Sequence, residues 1–346
     1  SDRARMFAEH MRKGRVHDAL RSLDSGNDDS GVLKIDDMVT LKDGTRSLVR
    51  DLLQEKHPER LAASPEVLLS GQPPEVDGIR FDSLTPDLLK SIAEHTEGSA
   101  GPSGLDAAAW RRMCLAYKGA STRLCEAMAD CARLLATRVI PSEGLIPFLA
   151  GRLIALDKKP GVRPIGVGEV LRRIVAKAVL RVAAPDIEKA CGFIQKCAGQ
   201  PAGIEAAVHA VQQIYNDEET DGVLLVDARN AFNSLNREAA LHNVQRLCPA
   251  LSSVIMNSYQ TAARLFVAGG GEVKSSEGTT QGDPLSMAFY AVATIPIITR
   301  LQEQHTSVRQ SWYADDSSGA GRLRQIRLWW DELQAIGRRY GYFTNS

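Results

Sequence analysis

An excess of charge of one sign is what this sequence most plainly lacks. Its 346 residues hold 42 Lys and Arg against 42 Asp and Glu, so no global basic excess points to nucleic acid and charge must be read locally. Zinc-type spacing is missing too. The six cysteines, at positions 114, 125, 131, 191, 197 and 248, form no CxxC and no His/Cys pattern, which excludes a zinc ribbon or finger. Lying in apolar or helical-looking sequence, they read as buried free thiols in a reducing compartment. No apolar run is long enough to cross a bilayer: the longest, Ala288 to Ile298, is short and contains Pro296. With no signal-peptide pattern either, the chain reads as soluble and intracellular. There is no internal repeat, and Ser1 rather than Met opens the chain, which suggests an excerpt of a longer one. What is present, 44% hydrophobic and 24% charged residues, is enough for a sizeable core and two or three subdomains.

Residues 3–23 carry Met6, Phe7, Met11, Ala19, Leu20 and Leu23 among Arg and Lys, the pattern of an amphipathic helix, and a loop is expected at residues 25–31. Another helix is expected through Leu48, Leu52 and Leu53, and Thr85-Pro86 is a start signal for one carrying Leu88, Leu89 and Ile92. Residues 1–97 therefore read as a mostly helical extension to which no chemistry attaches. The breaker cluster from Gly98 to Gly104 separates it from the rest of the chain. Asp106 is expected to cap a helix through Trp110 and Met113, and Ser121 a second through Leu124, Met128 and Leu135.

After Pro141 the character changes. Leu153 to Leu156 reads as a strand, Lys158 to Gly161 as a turn and Arg163 to Val167 as the return strand, with helix following to about Arg181. Between Arg152 and Arg181 eight basic residues face two acidic ones. A charge run is usually a solvated face, but a basic hairpin tip leading into a basic helix suits phosphates. A second hairpin is expected where strands at 265–268 and 272–274 are joined by Gly269-Gly270-Gly271, and Leu323, Ile326, Trp330, Leu333 and Ile336 form a helical stripe that reads as core.

Three segments carry chemistry. Val223-Leu224-Leu225-Val226 is a short apolar strand that delivers Asp227 to its end. A carboxylate there is costly without a cation or donor, although it can also serve as a cap for the helix expected from Leu235 to Val244. Glu277 to Ser286 reads EGTTQGDPLS and opens a helix. Its two glycines and proline let backbone approach a bound group closely. Trp312 to Gly319 reads WYADDSSG, with adjacent carboxylates at the tip of a tight hairpin, where they repel unless a cation intervenes. A lone Asp-Asp pair means little, and those at 28–29 and 36–37 are read as solvent turns. Together, one strand-end Asp and a hairpin Asp pair are what a two-metal phosphoryl-transfer site requires.

In this order, VDARNAF, EGTTQGDPLS and WYADDSSG resemble the palm motifs of reverse transcriptases. The upstream GPSGLD, RLIALDKKPGVRPIGVGEVLRRIVAKAVL and QKCAGQPAGIEAAVHAV resemble the fingers motifs of their non-LTR, LINE-like branch. The resemblance implies an α+β fold, a right-hand polymerase with an antiparallel palm sheet packed on helices. Fingers would span residues 98–221 with the basic hairpin at 152–168. The palm would span 222–346 with a fingers piece at about 240–276, and the thumb and any nuclease domain would lie outside this chain. It implies that Asp227, Asp315 and Asp316 are catalytic and, with the Ala228 carbonyl, hold two Mg2+ ions, for which Mn2+ is a possible substitute. Arg163 and either Lys158 or Lys159 would meet the incoming triphosphate, and Asn230 and Ala231 would offer it backbone amides. Phe232 would exclude a ribose 2′-OH, Gln281 and Gly282 would lie along nucleotide and template, and Tyr313 would brace the primer end.

The implied activity is RNA-directed DNA polymerisation by a retrotransposon, with an RNA template, a DNA or RNA primer and dNTPs as partners, no membrane, and the nucleus as the expected location. An RNA-dependent RNA polymerase, the nearest rival, would be expected to carry a polar residue in place of Phe232. A decayed or domesticated polymerase fold that only binds RNA is the non-enzymatic alternative.

Overall fold

The computed structural model describes residues 2–12, 31–198 and 202–345. Ten strands form three sheets within them: β1 Val32–Leu33, β2 Met38–Thr40, β3 Arg46–Leu48, β4 Gly151–Asp157, β5 Val162–Gly168, β6 Gly222–Val226, β7 Ala263–Val267, β8 Glu272–Ser275, β9 Arg309–Tyr313 and β10 Asp316–Gly321. Helices occupy most of the remainder, so the chain is a mixed helix-and-sheet protein.

The smaller of the two main sheets runs β6-β10-β9, antiparallel throughout. Val223 to Val226 form its first strand because branched and apolar side chains suit a half-buried pleat. Its register sets Ser317 against Val226 and Asp316 against Tyr313, which brings the end of β6 beside the β9–β10 turn. Ala314 in that turn has φ +54°, the left-handed backbone that a two-residue hairpin loop demands. The helix Leu323–Gly337 packs on β10, and the helix Gly203–Tyr215 on β9 and β10.

The longest apolar run lies in the helix Pro284–Gln304, which length and composition alone would allow to cross a membrane, but 72% of its apolar window is buried within the molecule. Leu285, Phe289, Tyr290, Val292, Ile297 and Leu301 are all buried, and a helix apolar all round belongs in a core. It packs against the helices Val170–Cys191, Arg237–Leu247 and Leu323–Gly337. Each of these leucines and isoleucines contributes about 1.5–3 kcal/mol on burial.

The other main sheet is built on the β4–β5 hairpin, paired from Gly151↔Gly168 to Asp157↔Val162. Two strands share the far edge of β4. β7 runs parallel to it at Gly151 to Leu153, and β1 antiparallel at Ala155 and Leu156. This sheet has a core of its own, in which Val39, Val49, Leu52 and Leu53 pack with Leu153, Ala155, Val162, Leu265 and Val273.

Several expectations need correction. The extension is mixed rather than mostly helical among the described residues. Helices Asp2–Arg12, Val49–Glu55 and Pro86–His95 are present, but strands and extended segments fill much of residues 31–48 and 56–85. Strands of two or three residues leave no period-two pattern to read. The rest of the helix expected at residues 3–23, and nearly all of the loop at 25–31, lie outside the described residues. Ser121 is not a cap: the helix Gly119–Thr137 begins earlier, and the buried Ser121 hydroxyl donates to the Met113 carbonyl. The helix after β5 passes Arg181 and reaches Cys191 through Pro185. In the last helix Trp329 is fully buried, whereas Leu323 is 65% exposed. Within residues 240–276 the two helices join the large core, and only β7 and β8 join the hairpin sheet.

Candidate active site

Asp227 leaves the end of β6 beside the turn that carries Asp315 and Asp316. It does not cap the following helix, since Asn236 does so by accepting from the Ala239 amide at 2.9 Å. Asp227 and Asp316 line one cleft together with Tyr313, and Asp227 and Asp315 line a second, more polar pocket. The carboxyl of Asp315 is pushed above its ordinary pKa, first by burial and then by Asp316 and Asp227, while Lys158 opposes the shift. Asp316 is raised as well, by burial and then by Asp227. Asp315 and Asp316 therefore both feel the charge of Asp227. Hard oxygen donors of this kind suit Mg2+. Among the described residues, however, no three His, Cys, Asp or Glu side chains are gathered closely enough to hold an ion. Asp227 instead accepts from Asn345 Nδ2 at 2.5 Å, and its carbonyl accepts from the Asn345 amide at 2.8 Å. The donor chemistry fits a divalent cation, but the side chains as they stand do not close around one.

The turn is held from both sides. Gln195, fully buried, accepts from the Ala314 amide at 2.9 Å and donates to the Ala314 carbonyl at 3.1 Å. Tyr342 donates its hydroxyl to the Asp315 carbonyl at 2.8 Å. Neither role was readable from the sequence, because each partner lies far along the chain.

The polar pocket is walled by Lys158, Val162, Arg163 and Pro164 from the hairpin, by Asp227, Ala228, Asn230, Ala231, Phe232 and Asn233 from the loop after β6, and by Gln281, Asp315 and Lys56. The two hairpin lysines are placed in different clefts. Lys158 lines the pocket, whereas Lys159 lies 3.7 Å from Asp157 and lines a different cleft beside β2. Tyr313 belongs to the neighbouring cleft, and Gly282 is not part of the pocket wall. The bonds that tie the chain's last residues to the site use the Asp227 carbonyl and the Arg229 amide, on either side of Ala228. Phe232 stacks at a tilt on Tyr290, with ring centroids 4.7 Å apart.

The EGTTQGDP loop joins the two halves of the pocket. The Thr279 amide donates to the Phe232 carbonyl at 2.5 Å, and the Gly166 amide of β5 to the Gln281 carbonyl at 2.7 Å. Both glycines are required. Gly278 (φ +57°) passes so close to Phe232 and Asn233 that a Cβ would overlap their backbone, and Gly282 (φ +102°) abuts the Gly166 carbonyl in the same way. Behind the loop, the buried Arg237 donates to the carbonyls of Ser275, Glu277 and Gly278, each at 2.8 Å. Asp283 forms a buried ion pair with Arg172 and accepts from the Tyr259 hydroxyl at 2.5 Å.

These partners redistribute the basic run. Arg172 neutralises Asp283, and Arg173 donates to the carbonyls of Glu97 and Ser99, so both are structural. Lys158 and Arg163, at the hairpin tip, are the members of that run that face the pocket.

No curated protein matches the chain. The family profile described as reverse transcriptase (RNA-dependent DNA polymerase) matches residues 156–345, more than half of the 346. The matched segment opens in β4 and takes in the hairpin tip, the Asp227 loop, the QGDP loop and the Asp315 turn, so every wall of the pocket except Lys56 falls inside it. This chain belongs to the reverse transcriptase family.

Proposed function

We propose that the chain is the fingers and palm of a non-LTR retroelement polymerase that acts in the nucleus and extends a DNA or RNA primer with dNTPs along an RNA template. The observation that carries this reading is the polar pocket, which two hairpin cations, Lys158 and Arg163, line together with Asp227, Asp315 and Phe232. Lys158 and Arg163 would neutralise the triphosphate. The amides of Asn230 and Ala231 would orient it, and the Phe232 ring would occupy the space a ribose 2′-OH needs. Gln281 would lie along the nucleotide, and Tyr313, in the adjoining cleft, would brace the primer end. Two Mg2+ ions held by Asp227, Asp315, Asp316 and the Ala228 carbonyl would supply charge neutralisation for attack of the primer 3′-OH on the α-phosphate. The raised carboxyls of Asp315 and Asp316 support that assignment, since crowded acids gain most from a cation.

Primer extension on an RNA template tests the reading. Wild type should incorporate dNTPs, and Asp227→Ala or Asp315→Ala should lower kcat by at least about a thousandfold while nucleic-acid binding persists. Phe232→Val should admit ribonucleotides about ten- to a hundredfold more readily. A wild type that binds RNA but never extends a primer would favour the relic fold instead, and equal use of rNTPs by wild type would favour an RNA polymerase.

A further inference from the structure

Lys56 lies a hundred residues before the matched family segment begins, immediately after the helix Val49–Glu55. It nevertheless lines the same pocket as Lys158, Arg163, Asp227, Asp315 and Phe232. The backbone at this point is fastened to the loop after Asp227. The Lys56 carbonyl accepts from Asn230 Nδ2 at 2.9 Å and from Asn233 Nδ2 at 3.0 Å. On the other side its amide caps the helix by donating to the Leu52 carbonyl at 3.0 Å, and the adjoining His57 is buried, with Nδ1 2.7 Å from the Leu53 carbonyl. Leu52 and Leu53 belong to the hairpin-sheet core. Lys56 is therefore set in place by both the sheet that carries Arg163 and the loop that carries Asp227.

The surroundings of its ammonium group are unfavourable as they stand. Lys56 is half-buried, and among the described residues no carboxylate forms an ion pair with it. Its pKa is lowered by burial first and then by Lys158, with Arg229 adding to the effect against Glu55. A partly desolvated cation crowded by like charge is stabilised when an anion arrives. A triphosphate brings several negative charges to that spot.

We propose that Lys56 is a phosphate-binding residue of the nucleotide site, supplied by the N-terminal extension and acting beside Lys158 and Arg163 on the triphosphate of the incoming nucleotide. The assignment rests on reading the pocket as a dNTP site. It makes the extension a working part of that site. It also gives Asn230 and Asn233 a role, since their side-chain amides fasten the Lys56 carbonyl to the loop after Asp227.

Equilibrium binding of dTTP with Mg2+ to the full chain tests this without requiring turnover. Lys56→Gln should weaken dTTP binding about ten- to a hundredfold, the usual effect of losing a charged hydrogen-bond donor. Lys56→Arg should retain most of the affinity, and binding of deoxythymidine, which has no phosphates, should be the same in all three proteins. In primer extension the KM for dNTP should rise more than kcat falls. Lys56→Met, which keeps the apolar stem, replaces the Gln variant if that one melts early. The proposal is overturned if the charge-removing variant binds dTTP as wild type does, if deoxythymidine binding falls equally, or if wild type binds no dTTP. The expected dTTP difference without any primer extension would sink the polymerase reading while upholding a phosphate contact at Lys56.

Discussion

At the scale of single residues, Asp315 carries the clearest conflict between fold and chemistry. Its carboxyl is raised above the ordinary value of 3.8, by burial first and then by two neighbouring acids. A carboxyl whose folded pKa exceeds its unfolded one favours the fold below the unfolded value, and loses that contribution as pH rises through the folded value. Metal-free protein near neutral pH therefore holds Asp315 at a cost. Asp315→Asn, which cannot ionise, should raise metal-free stability by about 1 kcal/mol at about pH 7 and leave it nearly unchanged at about pH 3. Mg2+ should stabilise wild type at the higher pH, where its ligands are ionised, and should do much less for the variant. Thermal melts at both pH values, with and without Mg2+, measure all four terms. A variant that melts below wild type at neutral pH without metal would show that Asp315 is stabilised there by something other than a cation.

At the scale of elements, the QGDP loop is held in place by groups from three directions, and its docking is testable through one of them. The Arg172–Asp283 pair is almost wholly buried, with side chains 7% and 1% exposed. Breaking one partner of a buried pair leaves a bare charge, which costs about 3–5 kcal/mol, whereas replacing both by apolar groups is often neutral. Arg172→Met should therefore destabilise by about that amount, and Arg172→Met with Asp283→Leu should recover much of it. Recovery will be incomplete, because Asp283 also caps the helix Pro284–Gln304 by accepting from the Leu285 amide at 3.1 Å. Urea unfolding of the two singles and the double measures the cycle. A double mutant no more stable than Arg172→Met would mean that Asp283 acts mainly through the cap and Tyr259.

The same elements show which features a sequence can reveal. Asp227 and the Asp315 turn were legible because consecutive residues carry them, an apolar run ending in a carboxylate and a hairpin spelled by its turn residues. Dismissing the pair at 36–37 also fits the geometry, since Asp36 pairs with Arg50 and Asp37 closes a turn on the Lys34 amide. Gln195, Asn345 and Lys56 were not legible. Each takes its meaning from a partner 119, 118 or 174 residues away, and nothing in the local pattern distinguishes a clamping Gln from a solvated one. The basic run misled for the same reason: two of its arginines face inward to partners that no local reading supplies.

For the molecule as a whole, the decisive feature is that two cores meet at one pocket. The large core gathers the long helices and covers the Asp227 sheet, and the small one holds the hairpin sheet against residues 39–53. Each fully buried leucine contributes about 1.5–3 kcal/mol, so the four extension residues in the small core, Val39, Val49, Leu52 and Leu53, represent roughly 6 kcal/mol or more, comparable to the net stability of a domain. The hairpin sheet should therefore open as a unit when that packing is weakened. Leu53→Ala, at a fully buried position, should cost about 2–5 kcal/mol and speed hydrogen exchange in β4 and β5. It should also weaken dTTP binding, although Leu53 does not line the pocket, because Arg163, Lys158 and Lys56 all depend on that sheet. Leu251→Ala, equally buried in the large core, should cost as much and leave exchange in β4 and β5 to follow global unfolding alone. Identical exchange profiles for the two variants would mean that the cores open together and that the extension supports the whole fold rather than one wall of the site.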